Sequence, residues 1–340
     1  MSKKTDYFGG FFWVALVSFI VPLFVGWYAF KNLETTSKPK PVVDASGVDH
    51  KIWDYLLKNY VSEGLVDYDG MKADYLFWEY LREIGECDPD ALETKDQKLA
   101  LACNAYNALV IHGVINHKIT DSVMDHQFGD KNFFGVEEHF YAGKTVSLDN
   151  IEHDMIRPVF KEPRVHVALV CGARSCPAIR AEAYVGDRIQ DQLHDQSCQF
   201  ASNPKYVMYD ADCDMLKLSS ILQWYGGDFD ERYPKGSYLA WIKELTEPEL
   251  AKAKEDPSKE KLLKSLQALH KAIDETIVKA NAKLNEPSFK STSLADAIKE
   301  LDEVEYLKYD WSLNSQAKPG ESAGGKKSSG GFGSGSAPDS

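Results

Sequence analysis

The residue types that most directly suggest chemistry lie in a turn with two cysteines that follows an apolar segment. Residues 164–171 are rich in β-branched side chains, and this pattern predicts a buried strand. The turn contains Cys171, Arg174 and Cys176 and ends at Pro177. Because proline suits the first position of a helix, Cys176 is predicted to cap a helix, where the helix dipole and Arg174 would favour a thiolate. The sequence therefore suggests a nucleophilic cysteine at position 176.

A catalytic thiolate also needs a base and donors for an oxyanion. Two histidines are candidate bases: His153, one helical turn after Asp149 and beside Glu152, and His166 on the predicted strand. The backbone N–H groups of residues 172–175 are candidate donors for a bound anion. For His153, a structural role is an equally good interpretation.

Four further residues are predicted to contact a substrate: Asn104, Asn107, Arg174 and Glu152. The two asparagines lie three residues apart on one face of a predicted helix, so both amides are expected to point the same way. For each asparagine, the alternative is a buried hydrogen bond between elements. The two cysteines have alternatives as well, because Cys171 and Cys176 are compatible with a disulfide that closes the turn, and Cys171 with an inert buried thiol.

Composition and cysteine spacing exclude several classes of function. The chain has 340 residues and a formal net charge of −13, which argues against nucleic acid as a partner. No pair among the six cysteines has the Cys-x-x-Cys spacing of zinc or thioredoxin-type motifs, so neither a metal nor a cofactor is predicted. A phosphatase-type loop is excluded because no arginine stands at the required distance from either cysteine of the turn.

Apolar periodicity predicts the elements that must position these residues. Helices are expected at residues 75–84, at 98–116 as a central buried helix, from 147 to about 157, at 185–200 and across 262–284, the last packing on the body of the domain. Hairpins are expected at 140–146 and at 206–209 with 215–218. The domain is therefore predicted to be a helix-rich α+β fold around a small sheet.

The ends of the chain have a different composition. Residues 8–30 carry no charge and match the length of about 20 residues that a bilayer span needs, so they are predicted to form a transmembrane anchor after a short tail at 1–7. A linker at 31–49, a domain at 50–315 and a disordered tail at 316–340 are expected to follow. Lys3 and Lys4 before the span favour a single-pass membrane protein whose bulk is periplasmic.

Several motifs together resemble the domain of unknown function 547 family. They include Asn104-Ala105-Tyr106-Asn107, Ile151-Glu152-His153, the Cys171–Pro177 turn, Trp224-Tyr225 with Asp228-Phe229, and Tyr309-Asp310-Trp311. The resemblance covers about residues 50–233 and resumes at 304–314, which leaves the helical segment at about 247–300 as an expected insertion. It implies an uncharacterised bacterial protein, exported or anchored in a membrane, with a fold distantly similar to papain-like and transglutaminase-like hydrolases.

Two classes of function are compatible with these features. The first is a cysteine-dependent hydrolase or acyl/amide transferase that uses Cys176 with His153 or His166 on an unidentified small-molecule or peptide ligand. The second is a non-catalytic binding module in the cell envelope, in which the cysteine-containing turn is structural.

Overall fold

The computed structural model of the protein describes residues 43–316. The predicted anchor at 8–30 and nearly all of the predicted tail at 316–340 lie outside the described residues. The α-helices are α1 His50–Tyr60, α2 Tyr68–Ala73, α3 Tyr75–Glu86, α4 Lys95–Asn116, α5 Arg157–Phe160, α6 Ile189–Ala201, α7 Ser220–Tyr225, α8 Gly227–Asp230, α9 Ser237–Glu255, α10 Glu260–Leu284 and α11 Leu294–Lys299.

Helix α4 is the central element of the N-terminal half, as the sequence predicts. Thr94 begins it with a capping box, in which the Thr94 hydroxyl accepts from the Gln97 N–H and the Gln97 side chain accepts from the Thr94 N–H. The helix is apolar around its whole circumference and is packed on all sides. Among the described helices it is also the one long and apolar enough to cross a membrane, but most of it lies inside the protein core.

The strands are short and form small separate sheets. They are β1 Val61–Ser62, β2 Leu65–Val66, β3 Gln127–Phe128, β4 Lys131–Asn132, β5 His139–Tyr141, β6 Lys144–Val146, β7 Val207–Asp210, β8 Met215–Ser219 and β9 Val304–Leu307. In the described part of the chain the largest sheet has three strands: β7 and β8 are an antiparallel hairpin, and β9 pairs parallel to β8. The expected helix-rich α+β class and both expected hairpins are confirmed.

The segment predicted as a strand at 164–171 is not a strand. Residues Pro163–Val167 form a 3-10 helix, and the chain then turns at Ala168 and bends at Leu169 before it reaches Cys171. Glu162 explains the difference, because its carboxylate accepts from the Arg164 N–H and pairs with the Arg164 guanidinium, which stabilises a helical turn. Buried apolar runs do not distinguish a strand from a packed irregular segment.

The predicted helix start at Cys176 is also wrong. Residues 177–180 are irregular, and α6 begins only at Ile189. The Gln196 side chain of α6 donates to the Ala178 carbonyl, 2.7 Å away, and so holds this irregular segment against α6. The thiol of Cys176 therefore gains nothing from a helix dipole.

The C-terminal helices pack on the body of the domain. The predicted amphipathic helix at 262–284 is confirmed as α10, and its buried face includes Leu266, Leu269 and Ile273. Leu269 and Ile273 join one apolar core with residues of α9, α11 and the β7–β9 sheet. The packed region also begins slightly before the predicted start at residue 50, because Val48 is fully buried.

Candidate functional site

A π-helical turn places the first acidic residue of the site. Residues Asn150–Ile156 form a π-helix that continues into α5, and the Ser147 hydroxyl accepts from the Asn150 N–H before it. π-Helical turns are rare and occur frequently at functional sites. This turn carries Glu152, which is buried and accepts a hydrogen bond at Oε2 from the Tyr106 hydroxyl of α4, 3.1 Å away.

Residues 309–314, here called the C-terminal segment, close the site by pairing with the cysteine-containing turn. The Arg174 N–H donates to the Ser312 carbonyl at 2.8 Å, and the Asn314 N–H donates to the Gly172 carbonyl at 2.9 Å. The Asn314 side chain in turn accepts from the Tyr68 hydroxyl at 2.6 Å. These bonds bring Tyr309 and Trp311 beside the turn although they lie far from it in sequence.

The elements enclose a cleft of about 470 Å³, measured with its open mouth. Its aromatic lining consists of Tyr106, Phe134, Trp224, Tyr225, Tyr309 and Trp311. The polar lining consists of Asp149, Glu152, His166, Cys171 and Cys176. Of the predicted site residues, the structure thus brings Glu152, His166 and Cys176 together in one cleft.

The two thiols of the turn are in direct contact. Cys171 Sγ and Cys176 Sγ lie 2.7 Å apart, and the Tyr309 hydroxyl lies 3.2 Å from Cys171 Sγ. Both cysteines are free thiols in the structure; Cys176 is buried and Cys171 is partly exposed. The Cys171 N–H also donates to Cys176 Sγ at 3.0 Å. The turn therefore holds a dithiol at the wall of the cleft.

The surroundings of the two thiols act in opposite directions on their pKa values. Burial opposes ionisation of Cys171, but hydrogen bonds from Cys176, Tyr309 and the Ala173 N–H outweigh it and lower the pKa of Cys171 below its ordinary value. For Cys176, burial and the adjacent Cys171 raise the pKa well above the ordinary value. The geometry thus favours the thiolate on Cys171, which the sequence had suggested as inert.

His166 is held by a carboxylate from another helix. Its Nε2–H donates to Asp228 Oδ2 of α8 at 2.8 Å, and its ring stacks on Tyr225 with centroids 4.0 Å apart. The other ring nitrogen, Nδ1, lies 3.9 Å from Glu152 Oε1. Such a bond fixes the tautomer and the orientation of the imidazole. His166 therefore has the arrangement of an oriented general base or acid, although within residues 43–316 neither Cys171 nor Cys176 hydrogen-bonds to a histidine.

Asp228 also accepts two hydrogen bonds from Arg157 of α5, at 2.8 and 3.0 Å. Burial alone would raise the pKa of Asp228, but the hydrogen bonds from His166 and Arg157 hold it well below its usual range. Asp228 therefore stays ionised and joins α5, α8 and the 3-10 helix Pro163–Val167.

His153 points away from the thiols. The Arg157 guanidinium donates to its Nδ1 at 2.7 Å, so the proton of the neutral ring is on Nε2. Burial lowers the pKa of His153, which favours the neutral form. Its position supports a structural role beside Arg157 more than that of a base for the thiols.

The remaining predicted substrate contacts lie outside the cleft. Asn104 binds the backbone of Tyr184, accepting from its N–H at 2.9 Å and donating to its carbonyl at 2.8 Å. Asn107 donates to the Ala168 carbonyl at 3.0 Å and accepts from the Val170 N–H at 2.9 Å. The Arg174 side chain is exposed. Both asparagines thus fix irregular chain segments, and Asn107 fixes the one that leads into Cys171.

The backbone of the turn is not free to hold an anion. The N–H groups of Arg174, Ser175 and Cys176 donate to the carbonyls of Ser312, Asp310 and Ala173. The Ala173 N–H is directed to Cys171. The expected anion-binding nest at 172–175 is therefore not formed, because the C-terminal segment occupies its donors. Within the described chain no cluster of histidine, cysteine or acidic residues is placed to hold a metal ion.

Sequence reasoning missed the residues that come from distant segments. Asp228, Tyr225 and Trp224 follow β8, and Tyr309 and Trp311 come from the C-terminal segment. Their motifs were visible as Trp224-Tyr225 with Asp228 and as Tyr309-Asp310-Trp311, but aromatic residues are more often part of the core. Asp149 was considered only as a partner of His153, whereas it lines the cleft.

The fold and the cleft define a helix-rich α+β domain with a dithiol, an oriented histidine and two carboxylates at an aromatic cleft. Residues 89–201, about a third of the chain, match the model of the family described as "Protein of unknown function, DUF547". No curated protein and no solved structure matches the chain, so the likeness to papain and transglutaminases receives no support. The matched segment contains Glu152, His166 and both thiols, whereas Asp228 and four of the cleft aromatics lie beyond it.

Proposed function

We propose that the cleft carries out thiol-dependent acyl chemistry, as a hydrolase or an acyl or amide transferase. The observation that carries this proposal is the position of Cys171 Sγ, 2.7 Å from Cys176 Sγ and 3.2 Å from the Tyr309 hydroxyl, at the wall of a cleft that also contains an oriented histidine. The lowered pKa of Cys171 agrees with these contacts. The sequence suggested Cys176 as the nucleophile, but the structure supports Cys171 in that role and Cys176 as its hydrogen-bond donor.

In the proposed reaction, the thiolate of Cys171 attacks the carbonyl carbon of an ester or amide. The negative charge moves from the sulfur to the carbonyl oxygen, and Tyr309, next to the sulfur, is the donor best placed to stabilise it there. The C–O or C–N bond then breaks, and the leaving alcohol or amine takes the Nδ1 proton of His166 in its imidazolium form, whose ring Asp228 orients through Nε2. Water or a second amine subsequently attacks the thioester, returns a proton to His166 Nδ1 and releases the Cys171 thiolate.

Alkylation with iodoacetamide tests the thiol part of the proposal. We expect Cys171 to react at pH values well below the ~8.5 pKa of a free thiol, and to react faster than Cys176. Tyr309→Phe removes one donor to the sulfur and should raise the pH at which Cys171 reacts. Exposed Cys213 provides an internal reference for a thiol whose pKa is raised, by partial desolvation and by Asp210.

Peptide mass mapping after alkylation identifies which cysteine has reacted, and thiol counting before it detects a Cys171–Cys176 disulfide. A Cys171 that reacts no faster than Cys213 across the pH range, or that is found oxidised in freshly purified protein, would contradict the proposal. Cys171→Ser provides the matched control, because it should abolish the fast phase and leave the reaction of Cys213 unchanged.

The second candidate is a non-catalytic binding module. It is favoured by the lack of a hydrogen bond between either thiol and a histidine within residues 43–316. It is also favoured by the use of the Arg174 and Ser175 N–H groups of the turn in holding the C-terminal segment. In that case the dithiol turn is a structural latch, and the alkylation experiment would find both thiols slow.

We further propose that residues 8–30 anchor the protein in a membrane with the domain on the periplasmic side. The uncharged run and the lysines before it support this orientation. An alkaline phosphatase reporter, which is active only after export, should be active when fused after Asn314. The fusion should lose activity when residues 8–30 are deleted. A reporter that works only as a cytoplasmic fusion would overturn the assignment.

A further inference from the structure

We propose that the cleft binds an alkylammonium group, a primary or quaternary ammonium carried by the ligand, against its aromatic wall and its two carboxylates. The inference extends the proposed function by stating that the substrate is a cation. It rests on the proposed function only for the reaction of the bound ligand, because binding is argued from the residues that line the cleft.

Aromatic faces form one side of the cleft. The rings of Trp224, Tyr309 and Trp311 lie with centroids 4.5 to 5.8 Å apart, and Phe134 lies 6.4 Å from Trp311. Trp224 and Trp311 are not fully buried, so they present surface to the cleft. Clustered aromatic faces attract cations through the negative charge at the face of each ring, and such cages recognise quaternary ammonium groups.

Acidic side chains make the cleft negative. Asp149 and Glu152 are its charged lining residues, and no lysine or arginine lines it in the described part of the chain. The nearest guanidinium, that of Arg157, is engaged by Asp228 and lies against the Tyr225 ring. The charge of the lining therefore repels anionic ligands and attracts cations.

Asp149 is a carboxylate in need of a counter-charge. Burial raises its pKa to about 6, with repulsion from Glu152 and Asp154 adding to the effect and exposed Lys131 opposing it. A cation that binds next to Asp149 would favour its ionised form and lower this pKa. By linkage, the affinity for a cation must rise as the pH rises through about 6.

Neutral apolar ligands are the main alternative occupants, because aromatic rings also bind them through burial of apolar surface. Choline and 3,3-dimethylbutan-1-ol have nearly the same shape and differ in charge, so they separate the two cases. Acetate serves as the anionic probe. Butylammonium distinguishes a primary from a quaternary ammonium preference.

Isothermal titration calorimetry of the whole protein with these probes tests the inference. We expect choline or butylammonium to bind about ten-fold more tightly than the neutral alcohol at pH 7.5, as cation–π and carboxylate contacts together imply. Asp149→Asn should weaken cation binding several-fold and remove the rise in affinity between pH 5 and pH 7. Asp154→Asn, in the same π-helical turn but outside the cleft, should leave the affinity nearly unchanged.

Equal affinity for choline, butylammonium and the alcohol, tighter binding of acetate, or no heat of binding for either cation would overturn the inference. Protection of Cys171 from iodoacetamide by choline provides a second readout. Selective cation binding with an unreactive Cys171 would retain the cation site and reject the thiol chemistry. Fast alkylation of Cys171 without cation binding would retain the thiol chemistry and reject the cation site.

Discussion

Replacement of Asp228 with alanine is expected to lower the free energy of unfolding by about 2–4 kcal/mol. Asp228 accepts one hydrogen bond from His166 and two from Arg157, and these partners come from separate segments. Removing the carboxylate leaves the Arg157 guanidinium partly buried without its counter-charge. Loss of one partner of such a pair costs more than the pair itself contributes, because the other charge remains desolvated.

The effect of Asp228→Ala must depend on pH. The pKa of Asp228 is depressed in the folded protein, whereas in the unfolded chain it is about 3.9. The stabilisation from Asp228 is therefore complete above the unfolded pKa and declines as the pH falls toward the lower, folded pKa. We expect the difference in stability between the wild type and the variant to be constant near neutral pH and to shrink below about pH 4.

Urea denaturation followed by circular dichroism at several pH values measures this difference. Glu231→Ala is the matched control, since Glu231 lies on the same stretch of chain and pairs with Lys161 at 3.3 Å on the surface. Exposed pairs contribute about 0–1 kcal/mol, so the control should barely change stability. A cost for Asp228→Ala no larger than that of the control would show that the Arg157–Asp228–His166 network does not hold the domain together.

Replacement of Asn107 with leucine is expected to cost about 2–5 kcal/mol, because it leaves two buried backbone groups without partners. The side chain is 4% exposed and bonds the Ala168 carbonyl and the Val170 N–H. Leucine has a similar volume, so the expected loss comes from the missing hydrogen bonds rather than from a cavity. The segment that Asn107 fixes leads directly to Cys171, so the rate of Cys171 alkylation should change as well.

Asn116→Leu is the matched control for this change, because Asn116 is exposed at the C-terminal end of the same helix. Guanidinium denaturation of both variants isolates the effect of the buried amide. If Asn107→Leu proves as stable as Asn116→Leu, the amide of Asn107 is not what fixes the chain before the dithiol turn.

Local patterns in the sequence predicted much of the secondary structure. The apolar composition of residues 98–116 predicts the buried central helix α4, and the spacing of Leu266, Leu269 and Ile273 predicts α10. Both patterns involve residues that are close in sequence, so neighbouring side chains determine these two helices almost completely. The family resemblance likewise rested on short motifs, and the matched segment 89–201 contains several of them.

The same local reasoning was wrong at the dithiol turn. The run at 164–171 has the composition of a strand, yet the ion pair between Glu162 and Arg164 and the amide of Asn107 fix it as a 3-10 helix followed by an irregular segment. Both interactions are made by polar side chains. Glu162 pairs within the local turn, whereas Asn107 lies on a helix about sixty residues away in sequence. Hydrophobic periodicity contains no information about such partners.

The sequence by itself determined that the chain contains a helix-rich domain, where α4 and α10 lie, and that residues 171–177 belong to a distinctive turn. Only the tertiary structure places hydrogen bonds from Tyr309 and Cys176 on Cys171, which lower its pKa and not that of Cys176. It also shows that Asp228 orients His166 and that Trp224 and Trp311 line the same cleft as two carboxylates. The pKa of a group depends on its burial and on charges and donors within a few ångströms, and these are set by contacts between residues far apart in the chain.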